Sequence, residues 1–530
     1  MALLWPKATH SARIRLLLRH TQSIPAHGET RMLTRLKVTG FKNLIDTDVL
    51  FGPFTCVAGA NGTGKSNLFD AIHFLSSLAN SPLVEAALSV RDASGRSGDV
   101  QSLFHRVGDV YDSTMSFEAE MIVPACGSDE LGQQAQATTT FLVYKLVLKY
   151  RGGNGQVGIG NLEILDEKLD YIKMSEAHKH ILFPHSAEKW RKTVMSGKRR
   201  SAAFITTEGD GEARVIKLHQ DGGSRGGPVK RPAASLPRTV MSTVNAAESP
   251  TAALARREMQ SWRLLQLEPT ALRHPDNFVS PTTVGTNGAN LAATIYRLAH
   301  GGPTDDGSAY ERRVYSQLAN RLSELVADVK GVCIDRDEKR ELLTLLVEDR
   351  AGTSLPARAL SDGTLRFLAL AVLESDPTAT GLLCLEEPEN GIHPARIAAM
   401  LRLLKDIATD PFERVGEDNP LRQVIVNTHS PAVVQQVPDD SLILAETREH
   451  VVGERRVNRV VFGCLSGTWR DTKAKMPTIS KGKLLAYLNP SHSPDEEDLV
   501  AGKGKGKAKR PPRVVDREDI GPLFRGTSSK

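Results

Sequence analysis

Apolar and polar residues alternate along five segments of the chain, which is the pattern of β-strands with one buried face. Two of these segments, 32–41 and 45–51, are joined by a short turn. The other three follow at 115–123, 141–150 and 162–172. The alternation predicts an antiparallel sheet.

Four further segments are short and largely apolar, at 54–58, 381–385, 423–427 and 441–445. The first three are predicted to be buried strands and the last an edge strand. Apolar residues at helical spacing predict helices over 67–79, 290–299 and 310–329. Ser249 and Pro250 are a cap residue followed by a first-turn proline, which predicts a helix from there to about residue 265.

Changes in composition divide the 530 residues into six regions. Residues 1–31 are rich in arginine and contain one acid, Glu29; they are interpreted as a spurious or disordered extension, with a transit peptide as the alternative. Two lobes of one α/β domain are predicted at 32–150 and 331–447. An insert of strands, a loop-rich linker and helices separates them at 151–330. A small segment follows at 448–490, and a basic, disordered tail is predicted at 491–530.

The stretch from residue 59 to residue 66 matches the phosphate-binding pattern G-x-x-x-x-G-K-S, with a predicted strand before it and a helix after it. Glycines let backbone N–H groups surround phosphates, and the helix N-terminus adds its positive dipole end. Lys65 would reach the outer phosphates and Ser66 would bind Mg²⁺. The predicted nucleotide-binding residues are Gly59, Ala60, Asn61, Gly62, Thr63, Gly64, Lys65, Ser66 and Asn67. The pattern predicts ATP and Mg²⁺ as ligands.

Two acids, Glu386 and Glu387, follow the buried strand at 381–385. In such a pair the first acid holds Mg²⁺ and the second orients, or accepts a proton from, the attacking water. His429 follows the next buried strand, where an imidazole could contact the outer phosphate. Glu387, His429 and Lys65 are therefore the predicted catalytic residues, and Ser66 and Glu386 the predicted metal ligands.

Ser361, Asp362 and Gly363 precede an apolar helix. Ser361 is a suitable N-cap, and the same helix N-terminus could form a second anion site. These two interpretations are compatible.

Together these motifs resemble the ABC-type ATPase heads of the SMC, RecF and OLD group. The resemblance rests on the loop at 59–66, Leu-Ser-Asp-Gly-Thr at 360–364, Cys-Leu-Glu-Glu-Pro-Glu-Asn-Gly-Ile-His-Pro at 384–394, Asn-Thr-His-Ser-Pro at 427–431 and the opening strand and turn at 38–44. Within the group the chain is most similar to stand-alone AAA-type ATPases with an OLD-like head and no nuclease module. The implied fold is α/β: a P-loop NTPase head with an antiparallel β-subdomain and a helical insert.

The resemblance also implies a head-to-tail homodimer formed on ATP binding, in which Ser361 and Gly363 of one subunit cover the ATP of the other. The chain departs from the usual ABC pattern at Glu386, where Asp is more common, and at Asp362 of the signature. ABC heads use a glutamine to sense Mg²⁺, and Gln101 is the candidate for it.

The net charge is +6, and the tail carries enough Lys and Arg to account for it, so the folded part is near neutral. The five cysteines show no metal-ligand spacing, which favours reduced thiols and a cytoplasmic protein. No apolar run approaches the length of a membrane span, so no membrane association is predicted.

Two roles remain open for an ATPase of this kind. DNA repair or maintenance, with double-stranded DNA as partner, is slightly favoured. The alternative is a sensor or effector ATPase of an anti-phage or toxin–antitoxin system that works with a separate effector protein. A transporter subunit is disfavoured, because the insert does not resemble the helical subdomain that contacts a membrane partner.

Overall fold

The computed structural model describes residues 31–90, 99–152, 160–197, 202–221, 227–302, 307–452 and 455–488. The predicted extension up to residue 30 and the predicted basic tail lie outside these residues. The strands are β1 (Met32–Phe41), β2 (Leu44–Leu50), β3 (Phe54–Ala58), β4 (Arg106–Val107), β5 (Val110–Tyr111), β6 (Thr114–Ile122), β7 (Cys126–Ser128), β8 (Gln134–Gln136), β9 (Phe141–Arg151), β10 (Asn161–Tyr171), β11 (Ile205–Glu208), β12 (Val215–Leu218), β13 (Val229–Pro232), β14 (Arg263–Leu265), β15 (Asp276–Asn277), β16 (Val329–Asp337), β17 (Leu342–Asp349), β18 (Ser354–Pro356), β19 (Gly381–Glu386), β20 (Arg422–Thr428), β21 (Leu442–Val452) and β22 (Arg455–Gly463).

The helices, apart from short 3-10 and π turns, are α1 (Lys65–Leu78), α2 (Leu83–Leu88), α3 (Ala177–His180), α4 (Lys192–Val194), α5 (Pro250–Gln260), α6 (Pro269–Arg273), α7 (Leu291–His300), α8 (Gly307–Ser323), α9 (Asp362–Ser375), α10 (Ile397–Ile407), α11 (Pro431–Val434), α12 (Trp469–Thr472) and α13 (Lys481–Leu488).

Two large sheets organise these elements. The first is the predicted antiparallel sheet, which has eight strands in the order β13-β12-β11-β10-β9-β6-β1-β2. The second has six strands in the order β14-β19-β20-β3-β21-β22, and its first five strands are parallel. A smaller sheet of β15, β16, β17 and β18 lies apart from both. The α/β fold predicted from the sequence is confirmed.

The parallel sheet is buried on both faces. Along β19, Leu382 and Cys384 belong to the core shared with α1 and the antiparallel sheet, whereas Leu383 and Leu385 belong to the core shared with helices α7 to α10. Strands covered on both sides need apolar side chains at successive positions, which explains the unbroken apolar runs Leu382–Leu385 in β19 and Val424–Val426 in β20.

A buried glutamine joins the two large sheets. Gln423 on β20 is fully buried; its Oε1 accepts from the N–H of Leu33 on β1 at 3.0 Å. Its Nε2 donates to the carbonyl oxygens of Leu33 at 2.8 Å and Gly52 at 3.0 Å. The amide thus pairs with the β1 backbone as another strand would, and it fixes β20 against β1.

Three predicted elements differ from the structure. The helix predicted at 310–329 ends at Ser323, and Val329 begins β16. The helix that starts at Pro250 ends at Gln260, and β14 follows it, because Leu264 and Leu265 reach opposite cores and only an extended backbone allows that. The strand predicted at 441–445 is not an edge strand, because β22 pairs with β21 beyond it. The sequence analysis placed no strand after residue 447 and therefore missed this hairpin.

Gln423→Leu keeps the side-chain volume but leaves three buried backbone groups without partners. We expect it to lower the free energy of unfolding by about 2–4 kcal/mol, measured by urea denaturation at 25 °C. Gln435→Ala, at an exposed position, should change it by less than about 0.5 kcal/mol. Equal stability of the two variants would contradict a bridging role for Gln423.

Candidate functional site

The loop between β3 and α1 passes through three glycines with positive φ, Gly59, Gly62 and Gly64. A Cβ atom on Gly59 would lie 2.6 Å from the carbonyl oxygen of Ala445 on β21. Any other residue would therefore be both strained and in collision there. The glycines allow the loop to lie against the end of the sheet while Ala60 stays exposed.

The turn between β1 and β2 braces this loop. Asn43 donates from Nδ2 to the carbonyl oxygen of Thr63 at 3.4 Å, and Asn67 donates from Nδ2 to Asn43 Oδ1 at 2.8 Å. Lys42 forms a largely buried ion pair with Asp70 of α1 at 2.7 Å. The opening turn, which formed part of the family resemblance, thus holds the start of α1 in place.

Lys65 is 6% exposed, and its Nζ donates to the carbonyl oxygens of Gly59 and Ala60, both at 2.8 Å. Burial lowers the pKa of Lys65, while the charges of Glu387 and Glu389 oppose that change. The ammonium is therefore folded back into its own loop. Its two acceptors are neutral carbonyl groups. Charged phosphate oxygens could take their place as acceptors, and the charge-assisted hydrogen bonds that they accept are stronger.

The acid pair lies where β19 ends. Glu387 has a φ of 45°, and its backbone N–H donates to the carbonyl oxygen of Asn427 at 2.8 Å. Its carboxylate has two partners: Oε1 lies 2.7 Å from His429 Nδ1, and Oε2 accepts from Asn390 Nδ2 at 2.8 Å. The structure therefore places the predicted catalytic Glu387 and His429 in direct contact.

A cleft of about 350 Å³ opens beside these residues and is lined by Ser66, Glu386, Gln266 and Asn427, among others. Gln266 follows β14 and donates from Nε2 to Glu386 Oε2 at 3.0 Å. Asn427 at the end of β20 donates from Nδ2 to Ser66 Oγ at 3.4 Å. These four residues bring one hydroxyl, one carboxylate and two side-chain amides into the cleft, which Glu387, Asn390 and Arg366 also line.

This donor set fits Mg²⁺. Mg²⁺ takes oxygen ligands and is usually held by one or two carboxylates together with substrate phosphates and water. Ser66 and Glu386 provide a hydroxyl and a carboxylate beside the phosphate-binding loop. Within the described part of the chain, no group of three His, Cys, Asp or Glu side chains could hold a metal ion.

The signature residues occupy the N-terminus of α9. Ser361 caps the helix, because its Oγ accepts from the N–H of Thr364 at 3.2 Å, and its side chain is exposed. Gly363 packs so closely on the turn after the acid pair that a Cβ would lie 2.2 Å from the carbonyl oxygen of Gly391. Neither Ser361 nor Gly363 is among the residues that line the cleft.

Arg366, one turn along α9, connects this helix to the cleft. It donates from Nε to the carbonyl oxygen of Leu267 at 3.0 Å and from Nη1 to that of Asn390 at 2.7 Å. Arg273 pairs with Asp362 and donates to the carbonyl oxygen of Leu360 at 3.1 Å. The signature is therefore tied to the loop that carries Gln266 and to the turn that holds Glu387.

Gln266 is not among the predicted site residues, because it lies just beyond the end of a predicted helix. Gln101, the predicted magnesium-sensing glutamine, lies on a short 3-10 helix, Val100–Leu103, and is not among the residues that line the cleft. Gln266 replaces it as the candidate, because its amide contacts Glu386 directly. The sequence offers no signal for Gln266, because β14 has only three residues and one of them is Arg263.

Comparison with known proteins gives a match to a family model described as "AAA domain, putative AbiEii toxin, Type IV TA system", over residues 54–124 and 284–435. A 46-residue stretch is 48% identical to the DNA replication and repair protein RecF of Parabacteroides distasonis. The chain is similar to the AAA domains of this family over the matched segments and to RecF over the aligned stretch. The segments matched by the family model include the phosphate-binding loop, the signature, the acid pair and His429.

The aligned RecF stretch covers 8% of this chain and 13% of RecF, so the chain spans only a small part of that relative. Among solved structures, the head aligns with an SMC head bound to the C-terminal winged-helix domain of ScpA, at 14% identity and a TM-score of 0.41 over 82% of this chain and 98% of that one. It also aligns with an SMC head from Pyrococcus furiosus bound to the C-terminal domain of ScpA, at 10% identity and a TM-score of 0.39, over 82% and 96% of the two chains. The SMC head domain of Thermotoga maritima aligns at 14% identity and a TM-score of 0.32, over 81% and 98%.

Among the residues the structure describes, every helix is too short or too polar to cross a membrane.

We expect Gln266→Leu to slow ATP hydrolysis about 10-fold and to raise the Mg²⁺ concentration needed for half-maximal rate, because Glu386 loses the amide that orients it. Phosphate release measured across a Mg²⁺ titration tests this. Gln101→Leu is the matched control and should stay within about twofold of wild type. If Gln101→Leu is impaired and Gln266→Leu is not, the assignment from the sequence was correct and Gln266 has no such role.

Proposed function

We propose that this protein binds ATP with Mg²⁺ and hydrolyses it to ADP and phosphate. The main support is that Lys65, Ser66 and the pair Glu386 and Glu387 converge at one edge of the parallel sheet. The family match and the RecF stretch agree with this activity.

In this proposal the phosphates of ATP lie in the loop at 59–66. Lys65 leaves the carbonyl oxygens of Gly59 and Ala60 and donates to the outer phosphate oxygens instead. Ser66 and Glu386 hold Mg²⁺, which when bound neutralises charge on the outer phosphates. Gln266 keeps the Glu386 carboxylate turned toward the cleft.

Glu387 orients the attacking water and accepts its proton as the water oxygen attacks the γ-phosphorus and the bond to the leaving ADP oxygen breaks. His429 presents Nδ1 to Glu387, which leaves Nε2 for an outer phosphate oxygen. With Nδ1 held by Glu387, the ring would bridge that carboxylate and a phosphate oxygen. Loss of the γ-phosphate breaks that bridge, so His429 reports which nucleotide is bound.

The proposal includes an ATP-dependent homodimer. Ser361 is exposed at a helix N-terminus and lies outside the cleft of its own chain, which supports contact with a nucleotide held by a second subunit. Arg366 and Gly363 contact the turn that holds Glu387, so a shift of the helix on dimer formation would move that turn. Hydrolysis would then weaken the dimer.

We propose DNA repair or maintenance as the role of this cycle, with double-stranded DNA as partner; the name of the RecF relative supports it. The family description mentions a toxin of a Type IV TA system, which favours the second candidate, a sensor or effector ATPase that acts on a separate protein. The five free cysteines, three of them buried, support work in a reducing compartment.

Purified full-length protein should release phosphate from ATP slowly, and Lys65→Ala should reduce the rate by at least about 100-fold, because the main cation of the phosphate site is lost. Lys179→Ala, at an exposed lysine outside the site, should leave the rate unchanged. Equal rates for wild type and Lys65→Ala would show that the activity is a contaminant and would refute the proposed function.

The same assay separates the two roles. Linear duplex DNA at low salt should raise the rate, and the stimulation should disappear as salt increases, because phosphate contacts release counterions. A rate unaffected by DNA at any salt concentration would favour the protein-directed alternative.

Glu387→Gln should reduce turnover about 100-fold and hold ATP in a dimer, because the proton acceptor is lost while the binding groups remain. Sedimentation velocity with and without ATP measures this. Adding Ser361→Arg should return the protein to monomer, whereas Ser308→Arg, at an exposed serine of α8, should not. Persistence of the ATP-dependent dimer with Ser361→Arg would contradict the head-to-tail arrangement.

A further inference from the structure

The third acid of the segment 384–394, Glu389, has no role in the mechanism above, yet it is 7% exposed. Its Oε1 accepts a hydrogen bond from Thr428 Oγ1. Its Oε2 is buried and has no hydrogen-bond partner among the described residues. Burial raises the pKa of Glu389. A buried carboxyl with one unsatisfied oxygen destabilises the fold, so a function at this position would account for it.

Thr428 is the last residue of β20 and immediately precedes His429. Its Oγ1 also accepts a hydrogen bond from the N–H of Ser430 at 2.9 Å. The hydroxyl therefore holds the backbone on both sides of His429. Because that hydroxyl donates to Glu389, the carboxyl fixes the loop that carries the histidine.

Glu387 and Glu389 form two parallel links between the loops that follow β19 and β20. Glu387 meets the His429 ring at 2.7 Å, and Glu389 meets Thr428, one residue earlier. The first link is between groups that the proposed mechanism uses. The second is buried, since Glu389 is 7% exposed and Thr428 is fully buried.

We infer that Glu389 is a positioning residue, which holds the loop carrying His429 in register with Glu387 by accepting a hydrogen bond from Thr428. This inference rests on the proposed ATPase function. Removing the link lets the imidazole move relative to the reacting groups, and a displacement of about 1 Å at such a site can reduce rate about 100-fold. Nucleotide affinity depends on the loop at 59–66 and should be unaffected.

Glu389 also lies close enough to Lys65 for its charge to raise the pKa of that residue. A counter-charge for Lys65 is therefore the competing role. The two roles differ in what they require, because positioning needs only an acceptor oxygen, which glutamine also has, whereas a counter-charge needs the carboxylate.

The test measures kcat for phosphate release and, separately, the Kd of a fluorescent ATP analogue, in full-length protein. Glu389→Ala should lower kcat about 10-fold or more with Kd within about twofold of wild type. Glu389→Gln should retain at least about a third of the wild-type kcat. Thr428→Val should lower kcat as Glu389→Ala does, and Thr428→Ser, which keeps the hydroxyl, should not.

The double variant Glu389→Ala with Thr428→Val should be no slower than Thr428→Val alone, since Thr428→Val already removes the hydrogen bond to Glu389 together with the one from Ser430. Multiplying losses would overturn the inference. So would an unchanged kcat in Glu389→Ala, or a loss in Glu389→Gln accompanied by weaker ATP-analogue binding, which would indicate the counter-charge role.

The failure of this inference is distinguishable from that of the proposed function. Wild-type hydrolysis that depends on Lys65 but not on Glu389 overturns the inference alone. Absence of Lys65-dependent hydrolysis in wild type overturns both. A variant that loses kcat, ATP-analogue binding and thermal stability together is misfolded, and the comparison of Thr428→Val with Thr428→Ser then decides.

Discussion

The site depends on the register of three parallel strands. Glu386 of β19 pairs with Asn427 of β20, and Asn427 pairs with Val57 of β3. Neighbouring strands lie about 4.8 Å apart, so three strands that end together bring the loops after them within about 10 Å. The phosphate-binding loop is therefore a neighbour in space of the acid pair and the histidine loop, although it lies hundreds of residues before them in sequence. A slip of one residue would turn each end residue to the opposite face.

Apolar burial holds these strands together but does not by itself choose their register. Leu383 and Leu385 would find similar surroundings after a two-residue shift, whereas polar links would not tolerate it. Gln423 pairs with the Leu33 backbone in only one register, and the backbone N–H of Glu387 reaches the carbonyl oxygen of Asn427 in only one. A buried polar group without a hydrogen-bond partner costs free energy. These contacts therefore favour the one strand register in which they can form.

Residues close together in sequence were predictable, and residues brought in by distant segments were not. Each of three site segments, the loop at 59–66, the acid pair and His429, follows or ends a strand that is recognisable from its apolar composition. Their position at one edge of the sheet could therefore be anticipated. Gln266 could not be anticipated, because β14 has three residues and its strand character comes from pairing with β19, not from its own pattern. The β21–β22 hairpin was missed because its outer strand mixes arginines with apolar residues at a sheet edge.

Glu387 combines a strained backbone with a proposed catalytic role. A non-glycine residue at a φ of 45° costs about 1–3 kcal/mol, and glycine would remove that cost. Glycine has no carboxylate, however. The chain turns sharply after β19, and the residue at this turn must also place a carboxylate near the end of β20. The backbone bond to Asn427 and the side-chain contacts with His429 and Asn390 hold the strained residue in place. Because Asn390 and Gly391 also contact the signature helix, any movement of that helix on dimerisation would act first on the residue that is already strained.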